Sequence, residues 1–309
     1  MSLESENVLA APVQRSTTAH LVLFVGVLVV STAAIFINLA QHRGASPLTI
    51  AAGRLTFAAI LLTPYALKRH KSEIVAVSTR DRALALLGGG LLAVHFASWI
   101  TSLTFTSVAS STALVSTNPL FVGLASVVLF HERIRHSVLL GIALTIAGSA
   151  LIGLSDRSGG HGSQPLLGDL LALVGAITAS GYFLVGRELR KRLGIVPYIW
   201  MVYSIAAVVL LLWMALAGDS LLGLPAVVYG LLFLLALGPQ LTGHTAFNWC
   251  LKHLSATFVT VAVLGEPVGS ALLALLLLPN QQLAVLQIIG GLVLVAGIGV
   301  VSLAEQQER

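Results

Sequence analysis

Ten apolar runs follow one another along this chain with only short polar links between them, over approximately residues 19–40, 46–67, 83–103, 107–129, 136–154, 166–186, 196–217, 226–248, 256–278 and 283–303. Roughly 20 apolar residues, each rising about 1.5 Å in a helix, cross the hydrocarbon of a bilayer. A backbone in lipid must bond to itself, which leaves helices for runs of this length. The links are too short for a soluble domain. Only 9% of the 309 residues are charged, against about 25% in a soluble domain, and the mean hydropathy is +0.95. The sequence predicts an all-α integral membrane protein with ten transmembrane helices.

Residues 1–18, with Glu4, Glu6 and Arg15, read as a polar tail. The run at 19–40 is too long for a signal-peptide core, so it is the first membrane helix. Residues 155–165, rich in Gly and Ser, divide the chain into five helices (19–154) and five more (166–303), followed by a short tail at 304–309. The halves repeat. Ser107, Asn118 and Pro119 in the fourth run match Ser255, Glu266 and Pro267 in the ninth, and Pro47…Arg54 in the second matches Pro197…Ser204 in the seventh. Gly141 and Gly148 in the fifth run match Gly290 and Gly297 in the tenth. An odd number of crossings per half makes the second copy enter from the opposite side, so two inverted five-helix repeats are expected, with a site near the midplane between them.

Basic residues set the orientation. Lys68, Arg69, Lys71, Arg80, Arg82, Arg133, Arg135, Arg187, Arg190, Lys191 and Arg192 fall in links on one side, together with Arg15, Lys252 and Arg309. The other side has only Arg43 and Arg157. Both termini are therefore expected in the cytoplasm, in the inner (plasma) membrane. This topology accounts for the net charge of +5 without a nucleic-acid partner.

Glu266 lies about ten residues into the run Ala256–Leu278, where an ionised carboxylate costs on the order of 2.5–3.5 kcal/mol. Pro267 beside it cannot donate an N–H, so the helix should kink or open there, and Pro119 should act as the equivalent hinge. Charge beside broken backbone is tolerated only against protein or a water-filled cavity. Glu266 is thus a candidate for binding substrate or carrying a proton; the plainer reading is a carboxyl that props up a kinked helix. Arg54, eight residues into its run, either grips a substrate carboxylate, pairs with Glu266 or reaches out to the interface. His95 and Trp99, four apart on one helical face, suit an aromatic or cationic ligand or simple packing between helices. Asn118, in a stripe with Ser107, Ser110, Ser111, Ser116 and Thr117, lines a cavity or satisfies carbonyls freed by Pro119. His244 and Asn248 are either a gate or a helix cap. The glycine pairs let helices approach closely, between halves or between protomers of a homodimer.

Several chemistries have no machinery here. The single cysteine, Cys250, allows no disulfide framework. His131-Glu132 followed by His136 does not have metal-ligand spacing, so no metal is expected. There is no phosphate-binding glycine loop and no nucleophile with its base, so neither a cofactor nor catalysis is expected.

The stretches Ser107–Phe121, Phe130-His-Glu132-Arg-Ile, Gly238-Pro-Gln-Leu-Thr-Gly-His244-Thr-Ala-Phe-Asn-Trp249 and Leu264-Gly-Glu266-Pro-Val resemble the EamA-type members of the drug/metabolite transporter superfamily, over about residues 19–303. Pro47…Arg54 is similar to the family pattern too. One departure is Pro279-Asn280, where the family often ends its ninth helix with Gly-Glu; it leaves Glu132 without a symmetric partner. The resemblance implies a secondary transporter of small organic metabolites with its cavity among the third, fourth, eighth and ninth helices. Export of amino acids or related solutes by alternating access is the first expectation. Efflux of drugs or cations, or passive facilitation of the same solutes, is the alternative.

Overall fold

The computed structural model describes residues 13–106, 111, 114–115, 117–131, 134–155, 164–277 and 285–306. Ser107, Ser110, Ser116, Glu132, Arg133, Arg157, Pro279 and Asn280 lie outside the described residues, as does most of the link at 155–165. Every regular element among the described residues is a helix. The first run forms α1 (Val13–Val30) and α2 (Ala33–His42). With no Gly or Pro between Val13 and Ala19, helix extends back over the last residues of the expected tail. Next come α3 (Pro47–Arg69), a short α4 (Lys71–Val75) and α5 (Thr79–Phe105). The first half continues through α6 (Asn118–Phe130) and α7 (His136–Ser155). The second half holds α8 (Pro165–Arg190), α9 (Ile195–Leu216) and α10 (Ala226–Leu235), which runs on through a π-helical segment, Ala236–His244, into α11 (Thr245–Cys250). The ninth run is split into α12 (Ala256–Val263) and α13 (Glu266–Leu277), and α14 spans Val285–Gln306.

Six of these stretches are long and apolar enough to cross a membrane outright, and four shorter apolar helices fall on the fourth, fifth, ninth and tenth runs. Helix starts follow local chemistry. Ser46 Oγ accepts from Thr49 N at 3.1 Å ahead of Pro47, and Ser255 Oγ accepts from Phe258 N at 3.0 Å, each meeting an N–H that the helix leaves unbonded. Large apolar side chains such as Leu86, Leu124, Leu212 and Leu292 stand exposed on the outside, where lipid is the solvent.

The two halves run in opposite senses, and particular contacts fix this. Gly141 on α7 lies against Gly297 and Val301 on α14, while Gly148 lies against Gly290 and Leu294. The start of one helix meets the end of the other, so these repeat-equivalent helices are antiparallel. The same holds for α3 and α9. Ser46, at the start of α3, donates to Asp219 just past the end of α9 at 2.5 Å, and Glu73, past the end of α3, accepts from Gly194 N at the start of α9 at 2.6 Å. The remaining packing survives exchange of the halves. α5 lies on α8 as α1 lies on the π-helical segment and α11, and α6 meets α8 as α12 and α13 meet α1. Two inverted repeats joined along equivalent helices are the architecture.

Candidate functional site

Both broken runs restart at the residues the repeat pairs. α6 begins at Asn118-Pro119 and α13 at Glu266-Pro267. A proline withholds its N–H, which the first turn of a helix leaves unpaired anyway, so it starts a helix more readily than it continues one. Each restart is held from across the halves by a serine. Ser31 Oγ donates to the Glu266 carbonyl at 3.2 Å, and Ser180 Oγ donates to the Asn118 carbonyl at 2.9 Å. Ser31 and Ser180 are 149 residues apart and so are themselves equivalent. Ser31 also sits where α1 gives way to α2, so two interruptions face each other.

Arg54 is 1% exposed on α3. Its Nη2 donates to Gln240 Oε1 at 2.9 Å, and the guanidinium lies 4.2 Å from the centroid of the Phe96 ring. Its Nε has no hydrogen-bond partner among the described residues. Glu266 is half-buried, and among the described residues no ion pair joins it to Arg54. The snorkelling alternative for Arg54 is thereby removed, since the side chain turns inward.

Phe96 gathers the neighbouring rings. His95 lies 4.9 Å from it and His244 5.4 Å, edge to face. His95 stacks on Trp99 with 6° between the ring planes. His95 Nδ1 is 2.9 Å from the Gly175 carbonyl; only a donor suits that contact, which in the neutral ring leaves Nε2 as an acceptor. Among the described residues Trp99 Nε1 and His244 Nδ1 are buried without partners. His95 and His244 are 149 residues apart, so Phe96 stands between two equivalent imidazoles.

Asn248 belongs to a buried tyrosine cluster. Its Nδ2 donates to the His244 carbonyl at 2.7 Å and to Tyr182 Oη, and Tyr198 Oη donates to its Oδ1 at 3.3 Å. Arg190 Nε donates to the Asn248 carbonyl at 3.2 Å. Capping is not the role of this side chain, because its hydrogen bonds are spent sideways on neighbouring helices and on the preceding turn. Asn118 stands apart from the Arg54 group. Its Oδ1 is buried with no partner, and no hydrogen bond or ring contact links it to that group among the described residues.

The arrangement thus joins Arg54, His95, Trp99 and His244 around Phe96, with Glu266 at a break nearby. Sequence reasoning passed over Gln240, Phe96 and the tyrosines around Asn248, Tyr182, Tyr198 and Tyr203. Gln240 carried a signal, a polar residue directly after Pro239 inside an apolar run.

Comparison with known proteins bears on the family and the fold. The EamA-like transporter family matches residues 17–154 and again 166–303. A WAT1-related protein of Arabidopsis thaliana is 26% identical over 316 residues, covering 89% of this chain and 86% of the relative. A solved crystal structure shares the fold with a TM-score of 0.76 at 22% identity, covering 95% of this chain and 99% of the other.

Proposed function

The chain belongs to the EamA-like transporter family, multi-pass membrane proteins that transport small solutes, and from that premise we propose that it exports an amino acid or a related solute by alternating access of its two halves. One observation carries the reading. Arg54 is a buried cation between the halves whose hydrogen bond, among the described residues, goes to an uncharged partner, with no acid in contact among those residues. A charge withdrawn from water is unfavourable until it is matched, and a substrate carboxylate matches a guanidinium in charge and in shape.

Glu266, half-buried at the break, takes the substrate amine or the coupling proton. His95, Trp99 and Phe96 shape the wall between them. Asn118 lines the approach, while Pro119 and Pro267 give each half a bend at equivalent points, and His244 and Asn248 stand at the gate. A protein at the inner membrane with both termini in the cytoplasm fits the basic links. The buried guanidinium weighs against a cationic drug as cargo, because like charge would be brought into a dry site.

Flux of the standard L-amino acids from proteoliposomes, with and without an imposed pH gradient, tests the proposal. Wild-type flux should follow the gradient, and Glu266→Gln should abolish that dependence. Flux that ignores the gradient and survives Glu266→Gln identifies an uncoupled facilitator instead. No flux of any amino acid rejects the cargo class.

A further inference from the structure

Arg54 and Gln240 face each other from α3 and the π-helical segment, at 1% and 0% exposure. A guanidinium carries donors only. The Gln240 amide must therefore turn its oxygen towards Arg54, as the 2.9 Å contact to Oε1 shows. That choice sends Nε2 the other way, and among the described residues Nε2 is buried with no partner, as is Arg54 Nε. Two unmet donor groups thus lie on neighbouring side chains, one of them a cation with no ion-pair partner among the described residues. Buried donors are nearly always satisfied in folded proteins, so a missing acceptor is the natural complement of this pair.

The backbone is arranged to hold the amide there. Pro239 removes a main-chain donor within the helix, and the segment Ala236–His244 widens into π geometry, a local form found mostly at functional positions. The Gln240 carbonyl is bonded by Tyr203 Oη and Thr245 Oγ1, each at 3.4 Å, which fixes the residue from behind.

We propose that Gln240 is the second arm of an oxyanion subsite: its Oε1 aims the Arg54 guanidinium, and its Nε2 donates to the same carboxylate that Arg54 binds. The proposal rests on the carboxylate reading of Arg54 and adds to it a residue that sets specificity for acid over amide. A carboxylate accepts from both arms, whereas a carboxamide turns an NH2 group towards one of two donors and is refused.

The test uses the purified full chain in detergent and ligand-induced shifts of its melting temperature. The probes are the standard L-amino acids, each beside its α-carboxamide. Wild type should bind one or more acids at least about tenfold more tightly than the matching carboxamide. In Gln240→Leu, with Gln240→Met measured beside it, acid affinity should fall about 10–100-fold while carboxamide affinity stays, so the preference collapses. Gln240→Glu should close Arg54 into an internal ion pair and remove acid binding. Equal weakening of acid and carboxamide, or no weakening, overturns the role of Gln240 and leaves the Arg54 reading standing. Wild type that binds no acid overturns both.

Discussion

At Arg54 the choice of arginine over lysine is itself informative. The guanidinium carbon lies 4.2 Å from the centre of the Phe96 ring while one nitrogen meets Gln240, an arrangement that a planar, forked cation suits better than a compact ammonium. Arg54→Lys keeps the charge and loses the fork. It is expected to raise the KM for a carboxylate cargo about tenfold or more, read as liposome flux against concentration; an unchanged KM would exclude two-point recognition there. Residues of this kind were legible in the sequence because they are anomalies. Arg54, Glu266, His95 and Trp99 each interrupt an apolar run with charge or polarity, and interruption is what pattern reading detects. Phe96 is apolar among apolar residues, so nothing sets it apart until the fold brings three side chains to its ring. The equivalence of His95 and His244 was available at the repeat offset but only gains meaning once the halves are folded against each other.

Among the elements, the interruptions matter more than the helices. The prolines predicted a bend at Pro119 and Pro267, and the structure starts α6 and α13 at the residue before each. What the sequence did not disclose is that Ser31 and Ser180 reach across to those same restarts, because a serine in an apolar run has many partners open to it. The glycine pairs left two destinations open, another half or another protomer, and α7 against α14 is the one observed. A Cβ on Gly148 would come within 2.6 Å of the Gly290 carbonyl and of Leu294 N, backbone atoms that cannot swing aside. Gly148→Ala is therefore expected to destabilise the fold by about 1–3 kcal/mol, seen as a lower melting temperature in detergent. An unaltered melting curve would mean the seam is looser than described.

For the molecule as a whole, the repeat offset and the odd number of runs per half foretold inversion, and the antiparallel pairings of α3 with α9 and α7 with α14 embody it. The count of ten was harder to read from the folded chain. Among the described residues six stretches are long and apolar enough to cross, and four shorter apolar helices fall on the remaining runs. Sidedness belongs to this scale, since it arises from all the links together. With the basic links inside, epitope tags at the N- and C-terminus of the full chain should both resist protease added to intact spheroplasts and both be cut after lysis. Digestion of either tag before lysis would reverse the assignment.

The seam of α7 and α14 also says something about a half on its own. Residues 1–154 would carry a notched fifth helix with nothing to fill it, and the shape that fits that notch is the same helix turned end for end. Two such fragments could complete each other only if one were threaded into the bilayer upside down. Fusing both orientations into one polypeptide makes that pairing obligatory and removes any dependence on how many copies happen to insert each way.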